Sequence, residues 1–321
     1  MLGSSDLEKG VVMSSLLSPA TVPSLIGGKP TAPTDIPLRS GDLLSILETS
    51  DLANSTPTTL VTLVGPPDAG KSTLLATLYD CFRQNRFTAL TFSGSRTLVA
   101  FEQLCHLSRI ASGLQDPDTQ RTKFSDEELF YHLTVNHFKE PASPRSLFVI
   151  DVAGEGFEGL RKSYENCLAI TSLKRTEFLT LLIDGDKLRV PKDRYAAIED
   201  AINLLKCVWD SQAVKPSCKL QVLVTKVDKL QDEASKAVIA EMKAVIIRRL
   251  ETRFPNRAFL DVAARPKNGG GIRTAHGLEA LLETWLVTAS GPQIAIPTPS
   301  FVPGERESEA FLNRHFNTIS R

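Results

Sequence analysis

The sequence predicts an α/β fold: a three-layer sandwich on a six-stranded, mostly parallel sheet with one antiparallel strand. Three observations carry this. From Thr59 onward, β-branched and apolar runs alternate with helical patterns, the order that places parallel strands between covering helices. Hydrophobic residues make up 42% of 321 positions, enough for a sizeable core in one large domain with tails or in two domains. A glycine-rich segment, Gly65–Ser72, falls where a strand pattern stops and a helical one starts.

In chain order, residues 1–38 are rich in Ser, Pro, Gly and Thr without sustained periodicity and read as a flexible arm. A short helix, Gly41 to Glu48, is expected before the core, which runs over 39–290. Strands are expected at 59–64, 127–137, 146–151, 177–184, 219–225 and 257–262, with helices at 71–86, 158–173, 192–210, 231–252 and 277–289. Residues 139–145, Lys-Glu-Pro-Ala-Ser-Pro-Arg, read as a hairpin loop that makes 127–137 and 146–151 antiparallel neighbours. An insertion, 87–123, precedes that hairpin. It holds a β-like run, Thr88 to Phe92, then a helical pattern from Leu98 to Ser112. Leu98, Phe101, Leu104, Leu107 and Ala111 share one face of that helix, and Gly113 can cap its end. The tail, 291–321, begins Pro-rich and ends in a possible short helix, Glu307 to Ile319. Its apolar residues, among them Phe301, Phe311 and Phe316, can dock on the domain or a partner.

Composition excludes several classes. Lys+Arg and Asp+Glu both total 37, so charge gives no case for nucleic acid or an acidic membrane as partner. Five scattered cysteines without C-x-x-C argue for a reducing compartment rather than a disulfide framework. Cys105 and His106 have no second pair at ligand spacing. The first residues include Asp6, Glu8 and Lys9 and do not read as a signal peptide, and no apolar run nears the ~20 residues of a membrane helix. A soluble, cytoplasmic protein is expected.

Gly65-Pro66-Pro67-Asp68-Ala69-Gly70-Lys71-Ser72 matches G-x-x-x-x-G-K-[ST] and lies between the strand Thr59–Val64 and a helix, the setting a phosphate site requires. Backbone N–H groups of residues 68–73 can cradle phosphates beside Pro66 and Pro67, which carry none, helped by the helix N-terminus. The segment includes Asp68, Ala69, Gly70 and Thr73. Lys71 would reach the β- and γ-phosphates and the Ser72 hydroxyl would coordinate Mg²⁺. The motif resembles the loop of P-loop NTPases, and alone it leaves ATPases, GTPases and kinases open.

Three later segments narrow the choice. Ser146–Ile150 is an apolar strand ending in Asp151-Val152-Ala153-Gly154. An acid there can hold Mg²⁺, usually through water, and a glycine three residues on lets a backbone N–H approach the γ-phosphate. Thr225-Lys226-Val227-Asp228 follows the strand Leu220–Val224. Asp228 can accept from guanine N1–H and the 2-amino group, donors that adenine lacks in that arrangement, while the Lys226 stem lies along the purine. After Phe259–Val262, the backbone N–H of Ala263 or Ala264 can donate to guanine O6. GTP or GDP is the expected nucleotide.

In this order and spacing, the four segments resemble the TRAFAC-class (Ras-like) GTPases over residues 59–289. The run Phe92-Ser93-Gly94-Ser95-Arg96-Thr97-Leu98, followed by Phe101-Glu102 and Cys105-His106, further resembles the bacterial double-GTPase proteins. The resemblance implies a GTP-dependent regulatory switch that works with protein effectors in the bacterial cytoplasm. It assigns Gly65, Gly70, Lys71 and Ser72 to the phosphate loop, Asp151 and Gly154 to switch II, and Thr225, Lys226 and Asp228 to the base motif. It also implies a switch I threonine on Mg²⁺, with Thr122 the first choice and Thr119 the second. An arginine in cis, Arg121 or Arg96, is a further candidate. Three departures stand out: Glu155 where many members carry a water-orienting glutamine, Pro67 where glycine is frequent, and the insertion in place of part of the effector surface. A carboxylate beside a γ-phosphate is repelled, so slow or partner-dependent hydrolysis is expected.

Overall fold

The uninterrupted apolar runs become central strands of a single seven-stranded sheet. The structure, a computed structural model, describes residues 40–54, 56–109, 119, 127–138, 140–250, 252–266 and 271–287, all within the unit Ser40–Arg321. The strands are β1 Thr58–Val64, β2 Leu90–Gly94, β3 Tyr131–His137, β4 Glu140–Asp151, β5 Phe178–Asp184, β6 Lys219–Thr225 and β7 Arg257–Asp261. Their order is β2-β3-β4-β1-β5-β6-β7. β3 runs antiparallel to both β2 and β4, and the remaining neighbours are parallel. β3 is therefore the one reversed strand, as expected. The strand beyond the expected six is β2, which grows from the β-like run of the insertion and extends the sheet edge.

Helices cover both faces. α2 (Lys71–Arg83), α3 (Leu98–His106) and α9 (Leu278–Leu286) bury Leu74, Leu78, Phe101, Leu104, Leu282 and Trp285 against Val61, Leu63, Val149 and Leu223. On the other face, α4 (Gly154–Leu160), α5 (Tyr164–Ala169), α7 (Pro191–Asp210) and α8 (Glu233–Leu250) pack Phe157, Cys167, Ile202, Leu205, Met242 and Ile246 on Leu181, Ile183, Val222 and Val224. β5 is buried at every position because it is covered on both faces and paired on both edges.

Among the boundaries that differ from expectation, including α3, which ends at His106 rather than Ser112, and β3, which begins at Tyr131 rather than 127, three have a plain local reason. The first helix, α1, spans Ile46–Ala53 rather than 41–48, because Ser45 and Glu48 form a capping box. Upstream of it, Leu44 bridges to Phe130. The helix expected at 158–173 is split into α4, α5 and a 3-10 turn at Thr171–Arg175. The Ser163 hydroxyl accepts from the Glu165 and Asn166 N–H groups and starts a new helix there. The hairpin connection is shorter than 139–145, since Glu140 already pairs with His137. Residues 140–145 extend past β1, which begins pairing at Ser146, so Pro141 and Pro144 lie where one side of β4 needs no ladder donor. A short helix, α6 (Gly185–Arg189), follows β5 directly. The tail helix expected at 307–319 lies outside the described residues.

Candidate functional site

β1 lies between β4 and β5, so the chain reaches its two neighbours from opposite directions, and the carboxyl ends of these strands frame a crevice. Gly65–Gly70 turns at that point into α2. Ala69 N–H donates to the Pro66 carbonyl, and Asp68 takes φ +61°. Gly70, the N-cap of α2, has φ +93°; a Cβ there would meet no atom within 4 Å, so backbone conformation alone demands glycine. No side chain caps α2, which leaves the amides of its first turn directed at the loop. The Lys71 ammonium, on a side chain only 6% exposed, donates to the carbonyls of Gly65 (2.8 Å) and Pro66 (3.2 Å).

Parallel pairing of Leu63 with Asp151 brings the end of β4 beside the loop. Ser72 Oγ donates to Asp151 Oδ2 at 2.8 Å. A hydroxyl and a carboxylate oxygen in contact are a hard-oxygen pair that fits Mg²⁺. Among the described residues no three His, Cys, Asp or Glu side chains are grouped to hold a metal, so further ligands would come from phosphate and water, as this ion prefers. Gly154 opens α4 against the loop: a Cβ on it would stand 2.7 Å from the ring and the nitrogen of Pro67. Glu155 is the next residue of α4. Thr122 and Arg121 lie outside the described residues. Thr119 is described: its hydroxyl accepts from Arg265 Nη1 at 2.9 Å and from Thr73 Oγ1 at 3.4 Å. Arg96 is in the insertion, where its N–H donates to His132 Nδ1.

The second half of the site hangs on β6. Thr225 Oγ1 donates to the Ala69 carbonyl at 2.9 Å, tying the base motif to the phosphate loop. Lys226 takes φ +54° and starts a 3-10 turn, Val227–Lys229, that carries Asp228. Ala263 donates its N–H to His276 O at 3.1 Å, so that amide is committed within the chain, while Ala264 N–H is the next along the turn.

Sequence reasoning missed an acidic pair. Asp184, 5% exposed at the end of β5, caps α6 through Asp186 N–H and accepts from Lys226 Nζ at 2.9 Å. Asp186 pairs with Lys229 and lies 3.7 Å from Lys226 Nζ. Partial burial would raise the Asp186 carboxyl, but the Lys229 hydrogen bond and the two lysine charges hold it below the usual range. Gly185, between them, makes this possible: a Cβ there would collide with the Thr225 carbonyl oxygen and stand 2.9 Å from Leu230 Cδ1. An acid at the carboxyl end of a central strand beside the switch point was the available signal.

The Double-GTPase 2 family model matches residues 59–286, from the second residue of β1 to the end of α9. The chain belongs to the Double-GTPase 2 family. A solved GTP-bound GTPase-like domain, that of Ski7 from S. cerevisiae, is similar at 17% identity over 77% of this chain, with TM-score 0.41; the match spans 53% of that chain. No curated protein matches. Family and architecture agree on a P-loop GTPase of the double-GTPase type, and the family match takes in the insertion with β2 and α3. Among the described residues, no helix is long and apolar enough to cross a membrane.

Proposed function

We propose that this double-GTPase binds GTP and GDP with Mg²⁺ and acts as a slowly hydrolysing regulatory switch in the bacterial cytoplasm, read by protein partners. The domain would be 39–290. The observation that carries the reading is the Thr225–Ala69 hydrogen bond: it sets the Asp228 turn and the phosphate loop at one crevice, as a single guanine nucleotide needs. Gly65, Asp68, Ala69 and Gly70 shape the cradle, and the amides of Lys71, Ser72 and Thr73 face the phosphates. Lys71 would exchange the Gly65 and Pro66 carbonyls for phosphate oxygens. Ser72 and Asp151 would hold Mg²⁺, which supplies charge neutralisation at the phosphates. Asp228 would select guanine, with Lys226 held along the base by Asp184, and Ala264 rather than Ala263 would donate to O6. Thr122 remains the proposed switch I ligand. Glu155, beside Gly154, supports slow hydrolysis, because its charge opposes both the γ-phosphate and the orientation of attacking water.

Titration calorimetry of the full chain with GTP, GDP and ATP in Mg²⁺ tests this. GTP and GDP should bind at least about a hundredfold tighter than ATP, the scale at which unpaired buried polar groups reject a ligand. Asp228→Asn should remove that preference. Equal binding of ATP and GTP by the unaltered protein overturns the reading.

A further inference from the structure

Consecutive residues of α2 are about 100° apart around the helix, so the hydroxyls of Ser72 and Thr73 face different sides. Ser72 turns to Asp151 on β4, while Thr73 turns to Thr119, which Arg265 holds from the loop after β7. β4 and β7 lie on opposite sides of β1 in the sheet. The bonds to Thr73 and Arg265 therefore join Thr119 to the base-loop side of the site. Arg265 directly follows Ala263-Ala264, the turn assigned to guanine O6, and Thr73 sits in the first turn of the phosphate-loop helix. A chain of hydrogen bonds from a base-contacting loop to a phosphate-contacting helix runs beside whatever joins base to phosphates, which in a nucleotide is the ribose.

We infer that Arg265 is a positioning residue for nucleotide retention: through Thr119 it ties the base loop to Thr73 along the ribose and α-phosphate side. The inference rests on the guanine-nucleotide reading above. The link does not include the Mg²⁺ pair, so it acts on GDP and GTP alike, whereas a switch I threonine on the metal acts only when the γ-phosphate is present. Thr119 thus has a role different from the one the resemblance offered it.

The test is stopped-flow release of N-methylanthraniloyl-GDP and of the matching non-hydrolysable GTP analogue from the full chain. Arg265→Ala and Thr119→Val should each speed release by about fivefold, the value of one net hydrogen bond. The factor should be the same for both nucleotides and with or without EDTA. The double variant should release no faster than the faster single, because both remove one link. Because the bonds exist without ligand, each variant should lower the thermal midpoint of the ligand-free protein slightly, but the rise of that midpoint on adding GDP should also shrink, which a merely structural contact would not change. Multiplying factors, acceleration confined to the triphosphate, or wild-type rates in both variants overturn the inference while leaving guanine binding intact. If the unaltered protein does not retain the labelled nucleotides, both readings fall together.

Discussion

Gly154, the proposed γ-phosphate sensor, meets Pro67 where α4 opens against the phosphate loop. A Cβ at 154 would lie 2.7–2.8 Å from three Pro67 atoms, two of them backbone, so neither partner can yield cheaply. Gly154→Ala should cost about 1–3 kcal/mol, read as a lower urea midpoint at constant slope. Pro67→Gly in the same chain removes only the ring carbon of the three contacts and leaves the nitrogen and Cα, so it should recover part of that loss; a purely additive double variant would show that the ring contact is not a cause. Glu155 is a separate matter of charge. On the proposed reading, Glu155→Gln removes a charge that opposes hydrolysis and should raise single-turnover GTP hydrolysis by about tenfold or more, an effect on the scale of one well-placed catalytic group. Equal rates would show that the missing water-orienting group is not at 155.

At the scale of elements, α9 is held to the sheet by a buried polar cluster within its apolar contacts. Gln221 on β6 accepts from Trp285 Nε1 at 2.7 Å and from Thr180 Oγ1 at 2.9 Å, and its amide donates to Thr284 Oγ1 at 2.6 Å. Gln221→Leu strands a buried indole N–H and should cost about 1–3 kcal/mol, with Trp285 fluorescence shifting red as the ring loosens. The insertion is fixed differently: His132 on β3 accepts the Arg96 N–H, and burial first, then the Arg96 charge, push its imidazole down to about 4 from 6.5. A folded-state value below the unfolded one means the unfolded chain binds more protons between the two. Stability should therefore fall as pH drops from about 6.5 towards about 4, and His132→Asn should flatten that part of the denaturation profile. The strands β1, β5 and β6 were legible because buried parallel strands leave unbroken apolar runs, and the phosphate loop because its glycine and lysine are fixed by local backbone chemistry. Ser163 as a cap was legible in principle but was masked by the apolar periodicity around it. The Asp184–Lys226 pair and the Arg265–Thr119 bond were not, since contacts 42 and 146 residues apart exist only once the sheet has set the strand order.

For the molecule as a whole, the sheet divides the core into two faces, and the cysteines report on both. All five thiols are free. Burial pushes Cys81 and Cys167 up to about 11 and Cys105 and Cys218 up to about 12, so little thiolate forms in the folded chain at pH 8. Cys105 lies in the face packed by α2, α3 and α9, whereas Cys167 and Cys218 lie in the face packed by α4, α5, α7 and α8. β1, β4, β5 and β6 each contribute residues to both faces, so the two faces share the central strands of the ladder. Labelling with a thiol reagent under native conditions should therefore modify Cys105 and Cys218 at one common rate, that of global opening. GTP with Mg²⁺ should slow both by the same factor, about a hundredfold when the nucleotide is present at 100 times its Kd, because it binds the folded state only. Faster labelling of Cys105 alone would mean that the insertion face opens as a separate unit, and protection confined to one face would place the nucleotide's hold on that face rather than on the strand ends shared by both.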